Sequence, residues 1–197
     1  MRILEDNLYI LDEVLVDFET FILSKNLFWH LMGRSPSGNR LPKISLGGIQ
    51  LLLDQLSVQQ RAMDQEQSSR YQDLLHLWQR NTKTWLAASA QKASREIKMR
   101  LSLWKAYLID LEDNPDEISS LSQEVHHRVI LSRLSNFLPH SSLPEEIKSQ
   151  LNVLEMRHPI LNIAGSFIWD HQLEKVYSRA EFPILYAKPA QAKSQLA

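Results

Sequence analysis

The chain has 197 residues, of which 44% are hydrophobic and 23% charged, a composition typical of a folded globular protein and not of a disordered chain. Its 22 basic and 23 acidic residues leave a net charge of −1, which removes the usual electrostatic motive for broad binding to nucleic acid or membranes. There is no cysteine, so disulfides, thiol catalysis and cysteine-ligated metal sites are excluded.

The N-terminal segment, residues 1–21, is apolar, but acidic residues are spread through it. A signal peptide needs an uncharged apolar stretch after a basic start, and a membrane span needs about 20 apolar residues with few charges. We therefore expect neither, and the expected location is the cytoplasm.

Helical periodicity of the apolar residues organises the first part of the chain. It predicts a first helix over residues 3–32 and a second over 48–64. Between them, residues 33–48 hold four of the five glycines, which indicates a loop. Residues 49–114 contain neither glycine nor proline, yet one helix of that length would be on the order of 100 Å long. We therefore expect a break at the polar patch 65–69, or failing that at 80–84, and a long central helix over 69–111.

Two capping patterns predict where the later helices begin. Asn114 stands before Pro115 and three residues before Glu117, which predicts a fourth helix that runs to about residue 138. Ser142 stands three residues before Glu145, which predicts a fifth helix that ends before Pro159.

These elements predict an all-α protein, namely a bundle of about five helices with one long central helix and a short irregular or hairpin-like C-terminal arm. The bundle is expected to form one domain over residues 1–158. Residues 159–186 mix β-branched and aromatic side chains, so we expect an arm that packs on the bundle and contains whatever strand there is. The composition of residues 187–197 predicts a disordered tail.

Two Glu-x-x-His motifs are the most suggestive local pattern: Glu124 with His127, and Glu155 with His158. On a helix this spacing directs a carboxylate and an imidazole at one metal ion, as in di-metal carboxylate bundles. His158, however, precedes Pro159, where helical conformation is disfavoured. We therefore predict no metal ion and no cofactor, we assign no catalytic residue, and we interpret His127 as a hydrogen-bonded histidine at the edge of the core.

The glycine-rich loop resembles a phosphate-binding loop only in part. Gly33 and Gly38 have the required spacing, but Asn39 and Arg40 stand where such a loop needs Lys followed by Ser or Thr, and no strand is predicted before it. We do not expect a nucleotide site there. A weaker hypothesis is that the basic residues of the loop hold an anion, although a solvated loop is the simpler interpretation.

Charge is distributed unevenly along the chain. Residues 80–105 carry seven basic residues against one acidic residue, residues 1–20 carry six acidic against one basic, and residues 110–124 carry six acidic and no basic residues. Helical geometry aligns four of the cations in a stripe, with three tryptophans nearby: Arg80, Lys83, Lys98, Lys105, Trp78, Trp85, Trp104. Either this stripe binds nucleic acid, or acidic and basic helices complement each other while the tryptophans lie in the core, which we favour.

Three functional hypotheses follow. The first is a non-catalytic interaction or assembly protein that self-associates or binds a protein partner. The second is an enzyme, or a protein that binds a metal ion or small molecule, with a core site near His127. The third is a nucleic-acid accessory protein that uses the basic 80–105 face. A central helix of about 60 Å would expose its apolar stripe at residues 97–108, so we expect a homodimer that buries this stripe.

Overall fold

The computed structural model describes residues 2–158, 161 and 165–187. Within them it contains seven α-helices and one two-stranded sheet, which confirms the all-α class. Contacts between Cα atoms divide the chain into two compact units: unit 1 comprises residues 1–96 and 133–141, and unit 2 comprises residues 97–132 and 142–197. The domain bounds expected above stay predictions. Parts of the predicted arm (159–160 and 162–164) and nearly all of the predicted tail (188–197) lie outside the described residues.

Unit 1 begins with three helices and a small sheet. Its elements are α1 (Arg2–Val16), α2 (Phe18–Leu23), β1 (Trp29–His30), β2 (Lys43–Ile44), α3 (Leu46–Gln59), α4 (Gln65–Thr84) and the start of α5 (Leu86–Asp113). Helix α1 packs against α3 and α4. The buried side chains come from the stripes that the periodicity predicted: Leu8, Leu11, Phe18, Phe21, Ile49, Leu56, Tyr71, Leu74, Trp78.

The first helix ends earlier than predicted. Asp17 interrupts it, and the helical conformation stops at Leu23 instead of residue 32. Two side chains satisfy the carbonyl groups where the chain leaves the helix. The Ser24 hydroxyl donates to Phe21 O at 2.8 Å, and the Lys92 ammonium donates to Ser24 O at 3.1 Å and to Asn26 O at 2.7 Å. Lys92 lies 68 positions further along the chain, so no local pattern contains this signal.

The glycine-rich loop forms the only sheet among the described residues, whereas we expected strand in the C-terminal arm. Strands β1 and β2 pair antiparallel, with Trp29 opposite Ile44 and an isolated bridge between Arg34 and Arg40. Gly33 and Gly38 have φ angles of +100° and +87°, a left-handed conformation that is strained for residues with a Cβ atom. These two glycines let the chain reverse direction within the loop.

The 49–114 segment breaks twice, just before the first predicted corner (65–69) and just after the second (80–84), and both predicted patches are themselves helical. Residues around Met63 leave the helix, and Asp64 then caps α4 in a reciprocal capping box with Gln67. Trp85 has φ −106° and ψ 36°, which separates α4 from α5. The predicted central helix is therefore two helices. The longer one, α5, has 28 residues and spans about 42 Å.

Unit 2 contains the rest of α5, most of α6 (Leu121–Leu134) and α7 (Glu145–Met156). Both predicted capping boxes are wrong. Asn114 makes no side-chain capping bond, and residues Pro115–Ser120 form a 3-10 helix before α6 begins. Helix α7 begins after Pro144 instead of Ser142, and the Ser142 hydroxyl donates to Leu143 O. The splitting of the first and third predicted helices, each into two, accounts for seven helices instead of five.

The described part of the arm, residues 165–187, is irregular and contains two 3-10 helices, His171–Lys175 and Pro183–Tyr186. The Trp169 indole donates to Ser122 O of α6 at 2.7 Å and its ring packs on His126 at 4.5 Å. A row of further aromatic contacts follows: Trp169 with Tyr177, Tyr177 with Phe182, and Phe167 with Tyr186. No helix in the described residues is both long and apolar enough to cross a membrane.

Candidate functional site

His127 lies on α6 between an arginine and a glutamate. Arg100 Nη1 of α5 is 3.0 Å from His127 Nδ1, and Glu124 Oε2 is 3.6 Å from His127 Nε2. A guanidinium group can only donate, so Nδ1 must accept and the ring proton must be on Nε2, on the side of Glu124. His127 is therefore a hydrogen-bonded residue, as interpreted from the sequence.

The electrostatic surroundings keep the His127 ring neutral. Burial, and then the positive charges of Arg100 and His126, lower the pKa of His127 to about 4. At neutral pH the ring carries no charge, and Arg100 already occupies its one lone-pair acceptor. A general base needs a free lone pair that faces the substrate. This geometry suits a role in packing better than a role in proton transfer.

Of the two Glu-x-x-His motifs, only the first brings its glutamate and histidine together, since Glu155 and His158 have other partners. Glu155 Oε1 accepts from Arg128 Nε at 2.5 Å and from the buried Trp104 indole at 3.3 Å, and so it joins α7 to α6 and α5. His158 is instead 3.3 Å from Glu112 Oε1 near the end of α5. Among the residues that the structure describes, no three His, Asp or Glu side chains are grouped so that they could hold a metal ion.

The glycine-rich loop directs its polar groups at an acid. The backbone N–H of Ser37 donates to Asp6 Oδ1 at 3.0 Å, and the Ser37 hydroxyl donates to the other carboxylate oxygen. The hydroxyl bond is the main cause of the lowered pKa of Asp6. Arg34 donates to Gly38 O at 2.7 Å. Two of the donors that an anion would use in this loop, Ser37 and Arg34, are therefore turned toward a carboxylate and a carbonyl of the chain itself.

The basic 80–105 segment is only partly exposed. Arg80, Lys83, Lys98 and Lys105 face solvent, whereas Lys92 and Arg100 are buried. Trp85 is only half-buried, whereas Trp78 and Trp104 lie in the cores of their units, as we favoured from the sequence. They offer no flat ring for stacking against a base, which weakens the nucleic-acid hypothesis. Burial also lowers the pKa of Lys92 to about 8.

The expected exposed stripe on α5 is buried. Ile97, Trp104 and Leu108 all lie inside unit 2, so the premise from which we predicted a homodimer is wrong, although dimerisation itself stays a prediction. The opposite side of the same helix is open to solvent. It includes two large apolar side chains, Leu103 and Ile109, which are 40% and 44% exposed.

A groove of about 460 Å³ lies beside this open side of α5, between Lys105 and helix α7. Val153 and Leu154 provide its apolar surface, and Lys105 and Arg157 provide positive charge. Val153 is 49% exposed and the neighbouring Met156 79%. No ion pair to Lys105 or Arg157 occurs within the described ranges. This groove could not be predicted from the sequence, because its residues on α7 carry no motif.

Comparison of the chain with protein families, with curated proteins and with solved structures found no match. The functional inference therefore depends on the geometry described above.

Proposed function

We propose that this protein is a non-catalytic interaction protein and that unit 2 binds a polypeptide partner through the exposed sides of α5 and α7. The observation that carries the proposal is the exposure of three large apolar side chains at one groove or close to it: Val153, which lines the groove, Met156 on the same helix, and Ile109, one turn after the groove residue Lys105. Clustered apolar side chains at a surface are typical of binding sites, because contact between apolar surface and water is unfavourable and a partner that covers the surface removes that contact.

The chemistry of the groove indicates what the partner offers. An apolar floor flanked by two cations favours a polypeptide that carries apolar side chains next to carboxylates. Neither cation is already neutralised by an ion pair within the described ranges. Unit 1 also exposes large apolar side chains: Val16, Leu23, Phe28, Met32, Leu86. We assign the binding surface to unit 2 because there an exposed apolar side chain, Val153, lines a groove together with two cations.

The polar cluster around His127 supports a structural role rather than a catalytic one. Arg100 occupies the His127 acceptor, and Arg128 and Trp104 share one oxygen of Glu155. Polar groups on three helices that form hydrogen bonds with one another stabilise the packing of those helices. An enzyme would need polar groups that converge on a space for substrate.

Site-specific photo-crosslinking tests this function. A photoreactive phenylalanine analogue at Ile109 or at Val153 should give protein adducts in cells, since both positions are exposed and lie on the proposed binding surface. The same analogue at His76, an exposed position on α4, is the matched control. Adducts at Ile109 and Val153 but not at His76 are expected. Equal labelling at the three positions, or no adduct at the first two, would refute the proposal.

A further inference from the structure

The open side of α5 has a fixed order of charges. Lys98 and Lys105 come first, Ile109 follows, and Asp110, Glu112 and Asp113 come last. At 100° per residue, Lys105, Ile109 and Asp113 fall within about 80° of one another on the helix, and Ser102 falls within the same range. All four residues are exposed.

The two central charges are spaced symmetrically about an apolar residue. Lys105 is four residues before Ile109 and Asp113 four residues after it, which places each charge about 6 Å from Ile109 along the helix axis. Neither charge takes part in an ion pair with any residue that the structure describes. This order of charges is self-complementary: a copy that runs in the opposite direction sets an aspartate level with Lys105 and a lysine level with Asp113.

We propose that the partner on α5 is a second copy of this chain, bound antiparallel with Ile109 at the two-fold axis. This inference rests on the proposed function. In the antiparallel arrangement Lys105 of each copy lies level with Asp113 of the other, so two-fold symmetry forms the favourable pair twice. A parallel arrangement would set lysine against lysine and aspartate against aspartate, which is repulsive.

The other side chains of the face suit close approach of two helices. Ser102 and Ala106 are small and exposed, and Ile109 of the two copies would meet at the centre. Their positions, together with Asp113, alternate in steps of four and three, the spacing with which helices pack along a shared seam. Glu112, at the same end of the helix as Asp113, is 3.3 Å from His158, so Asp113 is the carboxylate to vary.

A charge exchange between two variants tests this pairing by sedimentation. The wild-type chain should sediment at micromolar concentration as a dimer, at twice the monomer mass of 22.9 kDa. K105E creates two like-charge pairs across the axis and D113K creates two of the opposite sign, so each variant alone should dimerise at least about tenfold more weakly. Mixed in equal amounts, the two variants should form a heterodimer with an affinity within about threefold of wild type.

The matched control is K83E, an identical charge reversal at an exposed lysine of α4, and it should leave the dimer unchanged. Circular dichroism verifies that each variant is folded. Recovery of the dimer only in the mixture supports the antiparallel pairing about Ile109. A mixture that stays monomeric, single variants that dimerise like wild type, or a monomeric wild-type chain would each overturn it. If a monomeric chain still gives adducts with another protein from Ile109, the second copy is wrong and the proposed function stands.

Discussion

Glu96 gives the most direct test of how unit 1 is held together. This carboxylate on α5 is fully buried, and its two oxygens accept from the Ser45 hydroxyl at 2.6 Å and from the Gly47 backbone N–H at 3.0 Å. Both donors belong to the first turn of α3, where Ser45 also caps the helix by accepting from the N–H of Gly48 at 3.1 Å. A negative charge at this end of a helix is favourable.

The substitution E96Q keeps the shape of the side chain but removes one acceptor. The amide nitrogen of glutamine cannot accept, so the Gly47 N–H keeps its acceptor only if this nitrogen faces Ser45, whose hydroxyl then loses the acceptor that Glu96 provides. A buried hydrogen bond to a charged group is worth about 1.5–3 kcal/mol, and relief of the buried charge offsets part of it, so we expect unfolding to become easier by about 2 kcal/mol.

A double-mutant cycle with S45A tests the mechanism by urea denaturation followed by circular dichroism. Because the two side chains contact each other, the cost of S45A should be at least about 0.5 kcal/mol smaller in the E96Q background than in wild type. S94A is the control, since the exposed Ser94 hydroxyl contacts only a carbonyl of its own helix, and it should change stability by less than about 0.5 kcal/mol. A near-neutral E96Q, or additive effects of the two substitutions, would refute the reasoning.

Two further predictions concern unit 2. Since the folded state holds the pKa of His127 at about 4, below its usual 6.5, stability from this residue is complete above pH 6.5 and is lost as the pH falls toward 4. This loss of stability is at most about 3 kcal/mol, and about half that because the side chain is still 20% exposed to solvent. The urea midpoints measured at pH 7 and at pH 4.5 should therefore differ less in H127Q than in wild type. An equal difference in the two proteins would contradict this prediction. W104A removes a fully buried ring and should cost about 3–5 kcal/mol at every protein concentration, whereas a cost that grows on dilution would place Trp104 in a subunit interface after all.

The fold class and most of the core could be predicted from the sequence, because both depend on which residues repeat at helical spacing. The tryptophans at 78 and 104 are examples, since each continues an apolar stripe and each is buried. The helix ends were harder to predict. The first helix stops where Lys92 and Ser24 satisfy its terminal carbonyl groups, and that contact joins residues far apart in the chain.

The candidate site was harder still, for a related reason. The pattern Glu-x-x-His predicts that the two side chains share one target, but Glu155 contacts Arg128 while His158 contacts Glu112. Sequence spacing fixes only that two residues share a helix face, and not which neighbouring helix meets that face. A long side chain at a helix end can reach several possible partners, and the packing of the helices determines which of these contacts forms.

Helix α5 shows what an apolar stripe can and cannot indicate about self-association. Ile97, Trp104 and Leu108 are the most hydrophobic series on α5, and for that reason the chain buries them in its own core. An interface that forms after folding must use residues that tolerate water before the partner arrives. Such a face is mixed in polarity, as the series Ser102, Lys105, Ile109 and Asp113 is, and its signature is the order of its charges rather than its hydrophobicity. That order could be seen in the sequence once Trp104 was assigned to the core, because the remaining side of the same helix then had to face solvent.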